Sequence, residues 1–196
     1  MHPIFERNRF FIQEHVGAFQ VANNYDAYDP DSDQLLLECR EDVGLLRRIL
    51  HFTDFDDNAP FDINVHTPEG EQVLSVHRGF AFFRSTINVR DGAGQKLGAF
   101  QQKMLSMGGS FNVMDARGNA AFDLTGSLMK RDFQFLAGDG RELGSVTKQF
   151  SGVGKELLTS ADNYVLQISD DVPADSETRP LMLAAALCID MVHKED

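Results

Sequence analysis

Residues 61–78 read FDINVHTPEGEQVLSVHR, and the architecture of the whole chain follows from the pattern in this segment. Apolar residues alternate with polar ones on both sides of the turn Thr67-Pro68-Glu69-Gly70, as in a β-hairpin. Glycine readily adopts the positive φ that a tight turn needs, and proline starts such turns. The segment therefore predicts two antiparallel strands joined at Gly70.

The same hairpin pattern recurs along the chain. Its turn glycines are Gly70, Gly94, Gly118 and Gly140, spaced 24, 24 and 22 residues apart, which predicts four hairpins and eight strands. A fifth hairpin is predicted over residues 25–39, and further strands are predicted at 10–12 and 164–168. Residues 43–52 read as a short helix or an irregular crossing. About a dozen short strands indicate a sandwich or a closed barrel. A propeller blade takes about 40 residues, so one hairpin per 24 fits a propeller less well.

The last apolar segment, residues 181–192, reads LMLAAALCIDMV and contains one charged residue, Asp190. Pro180 fits the first turn of a helix, with Asp175, Ser176 or Thr178 as candidate caps. A helix that is apolar on all sides must be buried on all sides. Twelve helical residues span about 18 Å, which is shorter than a hydrocarbon core of about 30 Å. The pattern therefore predicts a helix threaded through the barrel, with membrane insertion as the alternative.

Composition limits the function classes. The chain has 196 residues, of which 42% are hydrophobic, and it is interpreted as a single domain over residues 1–196. Its net charge of −12 argues against nucleic acid as a partner. The charge is uneven: −10 over residues 1–75, +4 over 76–160 and −6 over 161–196. A basic middle is typical either of a surface that receives an anion or of charges that offset each other across the fold.

Features that report on compartment all favour the cytoplasm. The two cysteines, Cys39 and Cys188, lie in apolar runs and are predicted to be reduced thiols. The opening residues MHPIFERNRF mix charges and lack the apolar core of a signal peptide. The prediction is a cytoplasmic protein, with a peripheral position at a membrane surface left open.

At this point three segments resemble those of the phospholipid scramblase and LURP-one-related proteins, which have a Tubby C-terminal-like fold. Residues 60–65, with Gly70 and Arg78, resemble the first central hairpin of that family. Residues 144–156, GSVTKQFSGVGKE, resemble its signature G-x-I-x-K-x-W-S-G-x-x-R-E. Residues 161–164 and the apolar tail resemble its closing segment. The match runs from about residue 25 to 192.

The resemblance implies an all-β domain: a closed β-barrel of about 12 strands around a hydrophobic C-terminal helix. Scramblases also carry a Pro-rich amino-terminal region and a palmitoylated cysteine cluster, and neither is found in this sequence. The resemblance thus implies the fold more strongly than it implies membrane anchoring.

A calcium site is a weaker expectation from the same resemblance. The proposed calcium loop of the family would run here from Ser160 to Asp171, with Ser160 and Val165 weakening the ligand set. The candidate metal ligands are Asp162, Asn163, Asp170 and Asp171. No other cofactor is expected.

Basic residues that follow the repeated turns are candidates for an anion or headgroup site. If neighbouring hairpins align, these residues gather at one end of the barrel, where charge-assisted hydrogen bonds would hold a phosphate. The candidates are Lys103, Lys130, Arg131, Lys148 and Lys155. Asp190 is a further candidate, read either as a paired carboxylate near the barrel mouth or as a buried acid that contacts a ligand or proton.

Catalytic motifs are missing from the sequence. There is no G-x-S-x-G elbow, no phosphate loop at Gly152-Val153-Gly154-Lys155, and no zinc-ligand spacing among the histidines. Two acidic turns with Asp-x-Asp spacing, at residues 29–33 and 54–58, lack the glycine and glutamate of an EF-hand. The leading hypothesis is a non-enzymatic, scramblase-related protein that binds phospholipid or anionic headgroups. The alternative is a soluble protein-interaction or small-ligand module without lipid activity. Oligomeric state is left open.

Overall fold

The computed structural model describes residues 1–15, 24–42, 60–79, 86–102, 110–127, 132–149 and 163–193, with residues 102, 127 and 190–193 as backbone only. A short 3-10 helix, Pro3–Glu6, precedes the sheet, and one α-helix, α1 (Thr178–His193), follows it. The strands, in chain order, are β1 (Arg9–Glu14), β2 (Tyr25–Tyr28), β3 (Leu35–Glu41), β4 (Phe61–His66), β5 (Gln72–Arg78), β6 (Thr86–Asp91), β7 (Lys96–Gln102), β8 (Phe111–Asp115), β9 (Ala120–Ser127), β10 (Asp132–Leu136), β11 (Glu142–Gln149) and β12 (Asn163–Ile168).

These strands form one closed antiparallel barrel in which each strand pairs with its neighbours in the chain. Closure comes from β1, which pairs with β2 on one side and with β12 on the other, where Arg9 stands opposite Gln167. Closure leaves the sheet without a free edge. The predicted twelve-stranded barrel is confirmed.

The predicted hairpin turns lie where the repeat places them. Gly70, Gly94, Gly118 and Gly140 all have φ between +79° and +89°, which glycine adopts without steric cost. In the β8–β9 turn, Oδ1 of Asp115 accepts hydrogen bonds from the backbone N–H groups of Arg117 and Asn119. Nδ2 of the Asn119 side chain also donates to Oδ2 of Asp115 at 3.0 Å, and this bond, together with the backbone bonds, holds the pKa of Asp115 below its usual value.

Helix α1 lies inside the barrel, as the apolar tail predicts. Every residue from Leu181 to Ile189 is at most 3% exposed. The barrel wall makes room for it with small residues: a Cβ added at Gly98 would lie 2.9 Å from Cδ2 of Leu181. The aromatic lining also packs within itself, since the rings of Phe122 and Phe135 meet edge to face at 5.5 Å. Within the described ranges, no helical segment combines the length and apolarity that a membrane span requires.

The two ends of the barrel differ in their connections. At one end, here called the turn end, lie the short links 29–34, 67–71, 92–95, 116–119, 137–141 and 169–177, together with residues 1–8. At the other, the distal end, strands terminate at Glu14, Glu41, Arg78, Gln102, Ser127 and Gln149. Helix α1 runs from the turn end toward the distal end. Residues 43–52, predicted as a short helix or an irregular crossing, lie outside the described residues.

Candidate functional site

Lys148, a predicted headgroup ligand, lies on β11 at the distal end. It stands opposite Tyr164 in the β11–β12 register, and Val146, two residues earlier, faces the core. Because strand side chains alternate, Lys148 also faces the interior. Its Nζ lies 5.8 Å from the centroid of the Tyr164 ring, within range of a cation–π contact.

Arg78 occupies the equivalent position on β5. It follows Leu74 and Val76 on the inward face and is 5% exposed. Its guanidinium carbon lies 4.7 Å from the centroid of the Phe61 ring on β4. Arg78 and Lys148 are therefore each paired with an aromatic ring of the adjacent strand.

Further polar side chains face inward at the same level. By strand alternation, Glu14 on β1 and Glu41 on β3 continue the inward rows of those strands, and Tyr25 of β2 stands opposite Glu14. We call this set the polar arc; it consists of Lys148, Tyr164, Glu14, Tyr25, Glu41 and Arg78. The opposite wall at this level is apolar, with Ile87, Phe111, Leu124 and Phe133 buried. The distal mouth is therefore polar on one side and apolar on the other.

The other predicted headgroup ligands, Lys103, Lys130, Arg131 and Lys155, lie outside the described residues. The strand ends next to them are described, however. Gln102, Ser127 and Gln149 end β7, β9 and β11 at the distal end, and these strands alternate around one sector of the barrel. The connections that carry the predicted basic residues therefore leave the barrel from the same end as Lys148.

Charge is distributed unequally between the two ends. The links and N-terminal residues at the turn end contain eleven carboxylate side chains and three arginines. By sequence, the six connections at the distal end contain seven basic and six acidic residues. An approaching anion is therefore repelled at the turn end and not at the distal end.

Strand β12 divides the predicted calcium ligands between the two ends. Asn163 begins β12 at the distal end, whereas Asp170 and Asp171 follow it at the turn end. The strand is about 17 Å long, and calcium ligands lie within about 2.6 Å of the ion. Asn163 and Asp170 therefore do not ligate one ion. Oδ1 of Asp170 instead accepts a hydrogen bond from Nδ2 of Asn8 at 2.5 Å.

Of the predicted calcium ligands at the distal end, the structure describes the side chain of Asn163. Asn163 is 6% exposed, and its Oδ1 has no hydrogen-bond partner within the described part of the chain. Asp162 lies outside the described residues, and the side chain of Asp190 is not described. Among the described residues, no three His, Cys, Asp or Glu side chains stand close enough to share a metal ion.

A polar cluster on the outer wall was not predicted. Asp26 on β2 is 7% exposed, and its carboxylate meets Nη2 of Arg40 at 2.7 Å and Nε2 of His15 at 2.7 Å. Burial raises the pKa of Asp26, but the hydrogen bonds from Arg40 and His15 outweigh it, so the pKa lies below its ordinary value. The hydroxyl of Tyr28 donates to the same carboxylate. Asp26 therefore ties β1, β2 and β3 together near the distal end.

A second polar cluster that the sequence did not indicate is centred on Arg179, on the first turn of α1. Arg179 is 3% exposed, and within the described part of the chain all acceptors of its guanidinium are backbone carbonyl groups. The acceptors are the carbonyl oxygens of Phe5, Glu6, Arg7, Val172 and Pro173. Burial lowers the pKa of Arg179 from its ordinary value. The residue fastens the helix to the N-terminal segment and seals the turn end.

The sequence did hold a signal for the polar arc. Arg78 and Glu41 each occupy an inward position at the end of an alternating strand, where a core residue is expected. A charged residue at an inward position at the end of a strand indicates that this position lies at the mouth of the barrel. Arg179 gave no such signal, because its acceptors are backbone carbonyls from distant segments.

The fold places this chain in the class of proteins built as a closed barrel of twelve antiparallel strands around a C-terminal helix. The model of the Scramblase family matches residues 8–196, so the chain belongs to the Scramblase family. This membership suggests a lipid-related function. An X-ray structure of a protein from Arabidopsis thaliana matches with a TM-score of 0.54 and 12% identity, over 93% of this chain and 92% of that one. At that identity the likeness shows the fold alone. No curated protein matches the chain.

Proposed function

We propose that this protein is a non-enzymatic member of the Scramblase family that binds the anionic headgroups of phospholipids at the distal end of its barrel. The observation that supports this most directly is the charge difference between the two ends. The turn end is strongly acidic, whereas five basic residues of the middle of the chain, Arg84, Lys103, Lys130, Arg131 and Lys155, lie in connections that leave the distal end.

The distal mouth presents cations to a headgroup, next to the inward-facing carboxylates of Glu14 and Glu41. Lys148 and Arg78 face the interior, and Lys103, Lys130, Arg131 and Lys155 would add cations around the rim. Cations within a few ångströms of a phosphate bind it with charge-assisted hydrogen bonds. The apolar wall on the far side of the mouth would contact the glycerol and first methylene groups of a lipid. In this arrangement the protein sits on the membrane surface as a peripheral protein.

Vesicle co-sedimentation tests the proposal. The purified protein is mixed with phosphatidylcholine vesicles with or without about a third phosphatidylserine, at about 50 and about 300 mM salt. We expect binding only to the anionic vesicles, weakened at high salt. Each basic residue near such a surface contributes about 1 kcal/mol. The variant Lys103→Glu/Lys130→Glu/Lys155→Glu should therefore bind about 100-fold more weakly.

A matched variant separates location from net charge. Lys96→Glu/Arg117→Glu/Arg141→Glu changes the net charge equally, but all three residues are exposed at or next to the turn end. It should retain most of the binding. Equal loss in both variants would show that only net charge matters, and absence of binding to all vesicles would overturn the proposal. Repeating the assay with calcium and with a chelator tests the predicted role of Asp162 and Asn163.

The alternative function, a protein-interaction or small-ligand module without lipid activity, is favoured by one observation. Eleven carboxylates against three arginines at the turn end form a surface suited to a basic partner and not to an anionic membrane.

A further inference from the structure

A groove of about 900 Å³ lies at the turn end, away from the distal mouth. One wall is the N-terminal segment Met1–Pro3, and the other is the β6–β7 turn with the start of β5. The first residues of α1 close its base through Pro180. The groove is as large as the pockets that hold drug-sized molecules, and it is open along its length.

The base of the groove is apolar, and its rim is acidic. Phe5, Val73 and Pro180 are buried at the base, with Leu97 partly buried beside them. Met1 is 59% exposed, and it is the sole large hydrophobic side chain classed as exposed among the described residues. Carboxylates of Glu71, Asp91 and Glu177 line the rim.

These carboxylates are available to a ligand. The side chain of Glu71 is 66% exposed and has only a loose contact with Nε2 of His2, at 3.6 Å. Oδ1 of Asp91 accepts hydrogen bonds from the backbone N–H groups of Ala93 and Gln95. Glu177 is exposed. Against these three negative charges stands, when protonated, His2.

The wall made by the β6–β7 turn is fixed in place. The α-carbon of Gly92 packs so closely on β5 that a Cβ there would lie 1.9 Å from the carbonyl oxygen of Gln72. The turn is also closed by backbone hydrogen bonds between Asp91 and Gln95 and between Asp91 and Gly94. A groove with a fixed wall requires little ordering when it binds, which favours affinity.

We propose that this groove binds a short segment of a partner protein in which Lys or Arg residues alternate with Leu or Met. The cations would meet the rim carboxylates, and the apolar side chains would cover the base. The turn end as a whole carries eleven carboxylates against three arginines, so an anionic membrane is repelled there. A second copy of the chain is disfavoured for the same reason, because each copy has a net charge of −12. The proposal does not depend on headgroup binding at the distal end.

Fluorescence polarisation tests the proposal on the full chain. The probes are labelled peptides of the type Gly-Lys-Leu-Arg-Leu-Lys-Gly and Gly-Arg-Met-Lys-Met-Arg-Gly, with counterparts in which Glu replaces the cations or Ser replaces the apolar residues. We expect the basic apolar peptides to bind more tightly at about 50 than at about 300 mM salt. The Glu peptides should not bind, and the Ser peptides should bind about tenfold more weakly than the parents.

Two variants place the binding in the groove. Glu71→Lys/Glu177→Lys reverses two rim charges and should weaken the peptides about tenfold or more. Asp139→Lys/Glu142→Lys makes the same change in net charge on exposed residues of the β10–β11 hairpin, at the same end but outside the groove, and should leave affinity nearly unchanged. Circular dichroism confirms that both variants fold.

Three results would overturn the proposal. One is the absence of binding by every basic peptide, and another is equal weakening by the two double variants. The third is another occupant of the groove that binds the wild type more strongly than the peptides do and no longer binds the Glu71→Lys/Glu177→Lys variant. That occupant would be either zwitterionic phosphatidylethanolamine vesicles or a second copy of the chain, seen as a dimer by size-exclusion chromatography. Because these assays leave the distal end untouched, failure here leaves the headgroup proposal standing.

Discussion

The guanidinium group of Arg179 donates a hydrogen bond to the carbonyl oxygen of Val172, with Nη2 2.6 Å from that oxygen. Val172 lies within the link between β12 and α1, and Arg179 lies at the start of the helix, so the bond folds this link back on itself. The same side chain reaches the carbonyl groups of Glu6 and Arg7, both at 3.1 Å, in the segment that leads into β1. One cation therefore joins the segment before β1, the link after β12 and the interior helix.

Replacement of Arg179 by methionine keeps most of the side-chain volume and removes every donor. The buried carbonyl groups then lose their partner, and we expect a loss of about 3–5 kcal/mol in the free energy of unfolding. Chemical denaturation measures the effect. Arg141→Met, at an exposed site of the same end, should change the free energy of unfolding by less than about 0.5 kcal/mol. Similar values for the two variants would contradict the sealing role of Arg179.

Gly98→Ala tests how closely α1 fits the wall. The added Cβ would lie 2.2 Å from the carbonyl oxygen of Met114 and 2.9 Å from Leu181, so the β7–β8 pairing or the helix must shift. We expect a destabilisation of about 1–3 kcal/mol, measured as a lower midpoint of thermal unfolding. Gly138→Ala is the control, since its Cβ would meet no atom within 4 Å. If both variants unfolded at the same temperature, the helix would not be tightly enclosed.

Asp26 should make the protein sensitive to acid. Its pKa is depressed in the folded state, so its contribution to stability is complete above the unfolded pKa of about 3.9 and is lost as pH falls through the lower, folded pKa. Asp26→Asn should cost about 1–3 kcal/mol at pH 7 and should flatten the acid limb of a plot of stability against pH. Asp31→Asn, whose carboxylate is 75% exposed beside Arg9, should leave that limb in place.

The two cysteines should be unreactive in the native protein. Both are buried, and burial raises the pKa of the Cys39 thiol to about 12. Since the thiolate is the nucleophile, we expect iodoacetamide at pH 8 to label neither Cys39 nor Cys188 until the protein is unfolded. Mass spectrometry before and after addition of denaturant checks this. Labelling of the native protein at Cys188 would indicate that the barrel opens beside α1.

The architecture was predictable because it depends on local pattern. Alternation around Gly70 and its three repeats requires hairpins, and each hairpin pairs with the next one, so the sheet follows from neighbours in the chain. The apolar run 181–189 predicted a helix inside the barrel, with membrane insertion as the alternative. The closing pair, with Arg9 opposite Gln167, joins residues that no local pattern connects.

The candidate sites were predictable in part. Lys148 and its end of the barrel followed from the repeat. The inward direction of Lys148 depends on strand register, which was not read from the sequence. Asn163 and Asp170 are separated because the extended strand β12 lies between them. Two residues seven positions apart are far from each other when an extended strand connects them, but they can be close when a loop does. The acidic groove combines residues from 1 to 180 and had no sequence signature.

The position of α1 at the centre also sets the order in which the chain can fold. Strand β1 leaves the ribosome long before its partner β12, because ten other strands lie between them in the chain. Helix α1 emerges after β12. Until then the inward faces of the twelve strands have no helix to pack on. Contacts of such long sequence separation form slowly and leave apolar surface exposed meanwhile. A newly made chain should therefore be prone to aggregate until α1 is in place.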